Sequence, residues 1–336
     1  MRLVFASLAT VGHAYPLVPL AVAAREAGCE VHFAVGAGMH GVIGRHGLEA
    51  FRPGDCFSEM YAEDIAGDLE RLRPDLVIHE WGVPGAAIAA RRAGIPGVWH
   101  GFGRMFPEGI GLENPMRIAE VEGVPHIDIC PASLQDKEFL IAERIELRPV
   151  PYPETGGISA LPGIPTSRPL IYLTLGTVFG TPGLITQAVS GLSRLDAQVI
   201  VAAGRLDPDE LGALPGNVSV HGWVPQSRLL PHVDVVVHHG GSGTTLGALN
   251  SGVPQLVLPQ GADQFANADA LEAVGAAIQL GAGEVDADTI ADRAARLLPR
   301  RGNSYREAAE AVAAEIARMP GPDEVVERLR DHVVGR

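Results

Sequence analysis

Residues 234–252 read DVVVHHGGSGTTLGALNSG. The apolar, β-branched run Asp234 to His238 is followed by a glycine-rich turn and then by TTLGALNSG, which predicts a strand, a tight turn and a helix. A junction of that kind is an anion site. Its glycines let backbone N–H groups approach oxygen atoms, the helix N-terminus adds partial positive charge, and Thr244 and Thr245 add hydroxyls. His239 can donate as well. GKS/T is absent, so the turn is not a P-loop. A plain tight turn with a threonine N-cap would account for two glycines but not for the whole run from His239 to Thr245, which favours phosphate binding.

The same alternation extends outward over most of the chain. On either side, Leu170 to Leu175, Gln198 to Ala202, Val218 to His221, Gln255 to Leu258 and Ala277 to Leu280 read as buried strands. Helical patterns at Asp286 to Leu298, Asn303 to Arg318 and Pro322 to Val333 close the chain. A first series stands upstream, with strands at Arg2 to Leu8, Glu30 to Val35, Asp75 to His79, Gly97 to His100 and His126 to Cys130. Helices near Pro16 to Ala27, Met39 to His46, Glu59 to Arg71 and Pro84 to Ala93 join them, and Ala9 to Tyr15 reads as a loop. Strands alternating with helices predict an α/β protein with parallel sheets, here two doubly wound Rossmann-like domains facing a central cleft. Residues 151–168, dense in proline and glycine, predict a linker. The expected division is 1–150, the linker, 169–320, and a C-terminal helix at 321–336 that packs back on the first domain.

Composition removes several functions. The formal net charge of −14 repels phosphate backbones, so nucleic acid is excluded as a partner. Three cysteines without metal or redox spacing indicate neither a disulfide framework nor a zinc module, and a reducing, cytoplasmic setting is expected. No apolar run approaches the roughly 18 residues of a spanning helix, so no membrane span is predicted.

Smaller motifs divide between chemistry and scaffold. Gly36 to Gly41 spells GxGxxG but follows the second strand, which makes it a plain loop. Asp207-Pro208-Asp209 spells DxD, yet aspartate before proline is an ordinary helix start, so no metal site is assigned. His13 lies beyond the first strand, where an imidazole can take a proton from a hydroxyl near neutral pH. Glu80 ends another strand at a comparable height, and a carboxylate beside His13 would fix its tautomer.

Residues 234–277, from DVVVHHGG through VPQLVLPQGADQ to AVGAA, closely resemble the nucleotide-sugar signature of family 1 glycosyltransferases with the GT-B fold, notably the bacterial enzymes that glycosylate antibiotics and other natural products. GWVPQSRLL (222–230), LTLGT (173–177) and DICPASLQ (128–135) match as well, and ATVGHAYPLVPLA (9–21) and the segment 74–96 match more loosely. The resemblance implies an inverting, metal-independent hexosyltransferase with no cofactor. The first domain would bind the acceptor and the second a nucleotide-sugar co-substrate, TDP-linked and deoxygenated. It implies that Trp223 stacks near the donor base beside Val224 and Gln226. Thr177, His239, Gly241, Ser242, Gly243 and Thr244 would hold the diphosphate, and Asp263 and Gln264 would meet the sugar hydroxyls. His13 would be the general base and Glu80 its partner, at a position where relatives often carry aspartate. The chain departs from the family in being short around residues 57–61 and 101–126.

Tyr15, Trp81, Phe102, Met105 and Phe106 fall in the predicted loops of the first domain, and their apolar surface suits a hydrophobic aglycone. Two readings on the same fold stay open at this stage: a sugar-nucleotide 2-epimerase, and a donor-binding helper subunit without chemistry. WVPQ with the Asp263-Gln264 pair favours transfer over epimerisation, and His13 favours an enzyme over a helper. The oligomeric state is open, with a homodimer among the assemblies the sequence allows.

Overall fold

The computed structural model describes residues 1–54, 60–152, 168–176, 181–204, 213–299 and 302–334. Its contacts divide the chain into Met1–Pro153 with Arg318–Arg336, and Glu154–Ala317.

The first unit holds β1 (Arg2–Ala6), α1 (Val11–Ala14), α2 (Val18–Glu26), β2 (Glu30–Ala34), α3 (His40–Gly44), β3 (Glu49–Phe51), α4 (Ala62–Leu72), β4 (Leu76–Glu80), α5 (Pro84–Arg92), β5 (Gly97–His100), β6 (His126–Asp128) and β7 (Arg144–Glu146). The strands form one parallel sheet in the order β3-β2-β1-β4-β5-β6-β7. The second unit holds β8 (Leu170–Thr174), α6 (Pro182–Leu192), β9 (Gln198–Ala202), β10 (Val218–His221), α7 (Gln226–Leu229), β11 (Val235–His238), α8 (Ser242–Asn250), β12 (Gln255–Val257), α9 (Gln264–Ala273), β13 (Ala277–Gln279), α10 (Ala287–Leu297) and α11 (Ser304–Arg318). Its parallel sheet runs β10-β9-β8-β11-β12-β13. The last helix, α12 (Pro322–Val334), packs on α2 of the first unit, and the Arg148 N–H donates to the Pro320 carbonyl.

Strands such as LVFA in β1 and VVVH in β11 are buried on both faces, which is why they show no polar alternation in the sequence. Val4, Val77, Ile65 and Leu69 fill one side of the first sheet, under α4 and α5. Leu173, Val199, Val237, Ile290 and Leu297 fill one side of the second, under α6 and α10, and Tyr172, Ile200, Leu229 and Ala248 fill the other. Strand order reverses between β1 and β4 in the first sheet and between β8 and β11 in the second. In open parallel sheets the loops at that reversal form the ligand crevice, so each unit places its own candidate residues where a ligand is expected.

Two expectations change. Ala9 to Tyr15 is not a loop: Thr10 is extended, its carbonyl accepts the N–H of Ala14 at 2.9 Å, and Val11–Ala14 turns helically before Pro16 continues into α2. The short edge strands β3 and β7 had no counterpart in the sequence reading. The linker and the DxD triplet lie mainly or wholly outside the described residues. Among the described residues no helix is long and apolar enough to cross a membrane.

Candidate active site

In the second unit, β11 delivers His239 into a turn that only glycine can make. Gly240 has φ +94°, and a Cβ there would lie 2.9 Å from the Gln264 carbonyl oxygen. The imidazole of His239 lies in a slot between two more glycines: a Cβ on Gly241 would come within 2.5 Å of its Nε2, and one on Gly176 within 2.8 Å. Burial lowers the His239 pKa, while Asp263 and the backbone of Thr174 raise it. Its Nδ1 has no hydrogen-bond partner among the described residues. α8 starts at once behind this ring, with Gly241 at the cap position and therefore no side chain closing the helix end. The backbone N–H groups of Ser242, Gly243 and Thr244, in its first turn, have no acceptor within the helix.

The loop is tied to the start of α9. Ser242 Oγ donates to Asp263 Oδ2 at 3.0 Å, and Asn267 Nδ2 donates to the same oxygen at 2.9 Å and to the Gly240 carbonyl at 2.9 Å. Ser242 thus offers its backbone and not its hydroxyl. Gln264 is buried, and its Oε1 accepts the Gln260 N–H at 2.8 Å. That oxygen closes the PQGADQ loop, a scaffold role beside the expected contact of Gln264 with the sugar hydroxyls. Ala262 in the same loop has φ +54°, a conformation non-glycine residues avoid and one that clusters at functional sites.

Trp223 is 56% exposed, so it is not a core aromatic. Val224 beside it is buried among Tyr172, Leu229 and Ala248, which leaves only its backbone for a ligand. Gln226 opens α7 with a buried Nε2 that lacks a partner among the described residues, close to Gly247 of α8. Thr177 lies outside the described residues.

In the first unit, Glu80 is fully buried at the end of β4, and its carboxylate is held from three directions. Oε1 accepts the Leu8 N–H at 3.1 Å, Oε2 accepts the Gly82 N–H at 2.5 Å, and His13 Nδ1 stands 3.1 Å from Oε2. These bonds compensate a buried carboxylate and leave it ready to receive a proton donor. His13 Nδ1–H is therefore directed at Glu80, which assigns the basic lone pair to Nε2. The ring edge meets Phe102 at a centroid distance of 4.7 Å.

The five aromatic and apolar residues expected to face an acceptor divide. Trp81, Met105 and Phe106 are core: they pack with Trp99, Val121 and Phe139, and Trp81 Nε1–H donates to His126 Nδ1 at 3.2 Å. Loop position had suggested exposure, but the segment after β5 folds down over the sheet. Phe102 belongs to the same cluster yet also touches His13. Tyr15 stacks on Tyr152 with centroids 3.8 Å apart. Among the described residues no group of three or more His, Cys, Asp or Glu side chains is placed to hold a metal ion.

Residues 186–332 match the model of the family described as erythromycin biosynthesis protein CIII-like, C-terminal domain. The L-demethylnoviosyl transferase of Streptomyces niveus is 32% identical over 378 aligned positions, covering 98% of this chain and 97% of that protein. The elloramycin glycosyltransferase ElmGT of Streptomyces olivaceus is 31% identical, over 98% of this chain and 97% of its own length. This chain belongs to the antibiotic glycosyltransferases. The fold is theirs too: the Streptomyces sp. SF2575 glycosyltransferase SsfS6, complexed with thymidine diphosphate, superposes with a TM-score of 0.77 at 27% identity, covering 98% of this chain and 99% of that one. The two α/β units of this glycosyltransferase are the Rossmann-like domains of GT-B. Its alignment with the Streptomyces niveus relative is longer than its own 336 residues, so that relative carries internal residues that this chain lacks.

The sequence reading gave no role to His238, Gln255 and Asn267, which shape the His239–Thr244 loop from behind. The His238-His239 doublet was the available signal, since a second histidine at the end of a buried strand needs partners of its own.

Proposed function

We propose that this glycosyltransferase moves a deoxyhexose from a TDP-sugar to a hydrophobic natural-product aglycone with inversion at C1, His13 acting as general base. The observation that carries the reading is the buried Glu80 carboxylate on His13 Nδ1, which leaves Nε2 as the basic nitrogen. His13 Nε2 takes the proton of the acceptor hydroxyl, and the freed oxygen pair attacks C1 of the sugar. The bond from C1 to the diphosphate oxygen breaks, and its electron pair leaves with TDP. His239 and the open amides of α8 answer the charge that develops there. Those donors do without a divalent ion, so activity should survive EDTA.

TDP is favoured by the SsfS6 complex and by the exposed indole of Trp223, with the unpartnered amide of Gln226 beside the same helix. An apolar acceptor is favoured by Phe102 against the His13 ring. His13→Ala tests the assignment. Turnover should fall by roughly 10² or more while TDP affinity, read by calorimetry, stays near wild type. Near-normal turnover with a hydroxyl acceptor removes His13 from the mechanism, and strong preference for UDP-glucose with a small hydrophilic acceptor overturns the substrate assignment.

A further inference from the structure

His238 is the last residue of β11 and is fully buried, directly behind the diphosphate loop. Its surroundings dictate its protonation atom by atom. The Gly240 N–H points at Nδ1 from 3.1 Å, and since an amide can only donate, Nδ1 must carry a lone pair. The ring proton is then on Nε2, which stands 2.8 Å from Gln255 Oε1. The orientation of that amide is set in turn, because Gln255 Nε2 donates to the Thr245 carbonyl at 3.4 Å. Burial pushes the His238 pKa down to about 3, so the ring stays neutral at working pH.

The consequence falls on Gly240. The peptide on its N-terminal side is held by His238, and the carbonyl on its C-terminal side is held by Asn267 Nδ2 at 2.9 Å. With both flanking peptides fixed and φ at +94°, the turn that carries His239 has one shape. We propose that His238 is a positioning residue for the donor diphosphate: its Nδ1 lone pair fixes the 239–240 peptide and thereby keeps the His239 imidazole in its glycine slot beside the first turn of α8. The inference rests on the donor-site reading above. An imidazolium at 238 would set N–H against N–H and open the turn.

Two isosteric changes separate this role from simple filling of the core. In His238→Asn the side-chain oxygen takes the place of Nδ1 and keeps the Gly240 bond, whereas in His238→Gln the amide nitrogen takes the place of Nε2 and keeps only the Gln255 bond. Calorimetric titration should give TDP affinity within about threefold of wild type for H238N and about tenfold weaker for H238Q, with thymidine unaffected in both. H238Q binding TDP as tightly as wild type, or both variants weakening it equally, overturns the proposal. Long-range proton–nitrogen NMR of the ligand-free wild type should show His238 protonated on Nε2; a proton on Nδ1 overturns the proposal whatever the variants do. Failure of the wild type to bind TDP at all would instead defeat the donor reading, and the tautomer measurement tells the two failures apart.

Discussion

Gly241 has an ordinary φ of −64°, so nothing in its backbone demands glycine; the demand comes from the ring lying across it. A methyl group there would sit 2.5 Å from His239 Nε2, closer than side-chain atoms come, and the movable partner is the imidazole. Gly241→Ala should therefore fold normally while pushing His239 out of its slot. TDP binding is expected to weaken about tenfold, the cost of one charge-assisted hydrogen bond. Because the two changes act on one contact, Gly241→Ala combined with His239→Ala should bind no worse than His239→Ala alone. Additive losses in calorimetry would mean that Gly241 matters through the α8 amides and not through the ring.

In the link between α8 and α9, Asn267 makes the most contacts, reaching the Gly240 carbonyl, Ser242 Oγ at 3.2 Å and Asp263 Oδ2, beside the direct bond from Ser242 Oγ to Asp263. Asn267→Ala leaves a buried carbonyl without its donor, and stability should fall by about 1–3 kcal/mol, read from the denaturant midpoint at unchanged slope. TDP affinity should fall with it, since the 240–241 peptide loses its anchor; lost stability with intact affinity would make the link purely structural. At this scale the chain was largely legible. Gln198–Ala202 and Gly97–His100 match their sequence reading end for end, because buried parallel strands announce themselves as apolar runs, and the half-buried edge strand Val218–His221 matches as well. β3 and β7 did not, being three-residue sheet edges with glutamate at an end, and α1 was hidden by Gly12-His13, whose turn is set by Thr10 and Pro16. Contiguous candidate residues such as His239 to Thr244 are legible from the strand, glycine-turn and helix pattern. Gln255 and Asn267 could not, since their role exists only once β12 and α9 stand beside the loop.

The whole molecule carries an acid liability that its two units share unequally. Burial pushes the pKa of His79 down to about 3 and those of His100 and His126 down to about 4 in the first unit, and that of His238 down to about 3 in the second. A histidine kept neutral in the fold but free to protonate near pH 6.5 when unfolded makes the unfolded state bind the extra proton, so stability rises with pH between about 4 and 6.5 and is lost as pH falls through that window. By pH 5 each such group costs on the order of 2 kcal/mol. Asp128 works the other way: burial raises its pKa to about 6 against the bond from Arg144 at 2.7 Å, so it takes up a proton in the fold first and offsets part of the loss in the first unit. With His46 and His239 also lowered by burial, four such histidines against one carboxyl in the first unit and two in the second leave the first unit the more acid-sensitive. Calorimetry from pH 7 to pH 5 should show its transition moving down further than that of the second unit. His79 offers the internal control, because neither of its ring nitrogens bonds another described residue. His79→Leu removes both a buried unsatisfied group and a titrating one, so it should leave the first transition no less stable at pH 7 and flatten its pH dependence by about one proton. An unchanged slope would mean that His79 is already protonated in the fold, and equal shifts in both units would remove the histidines as the source of acid unfolding.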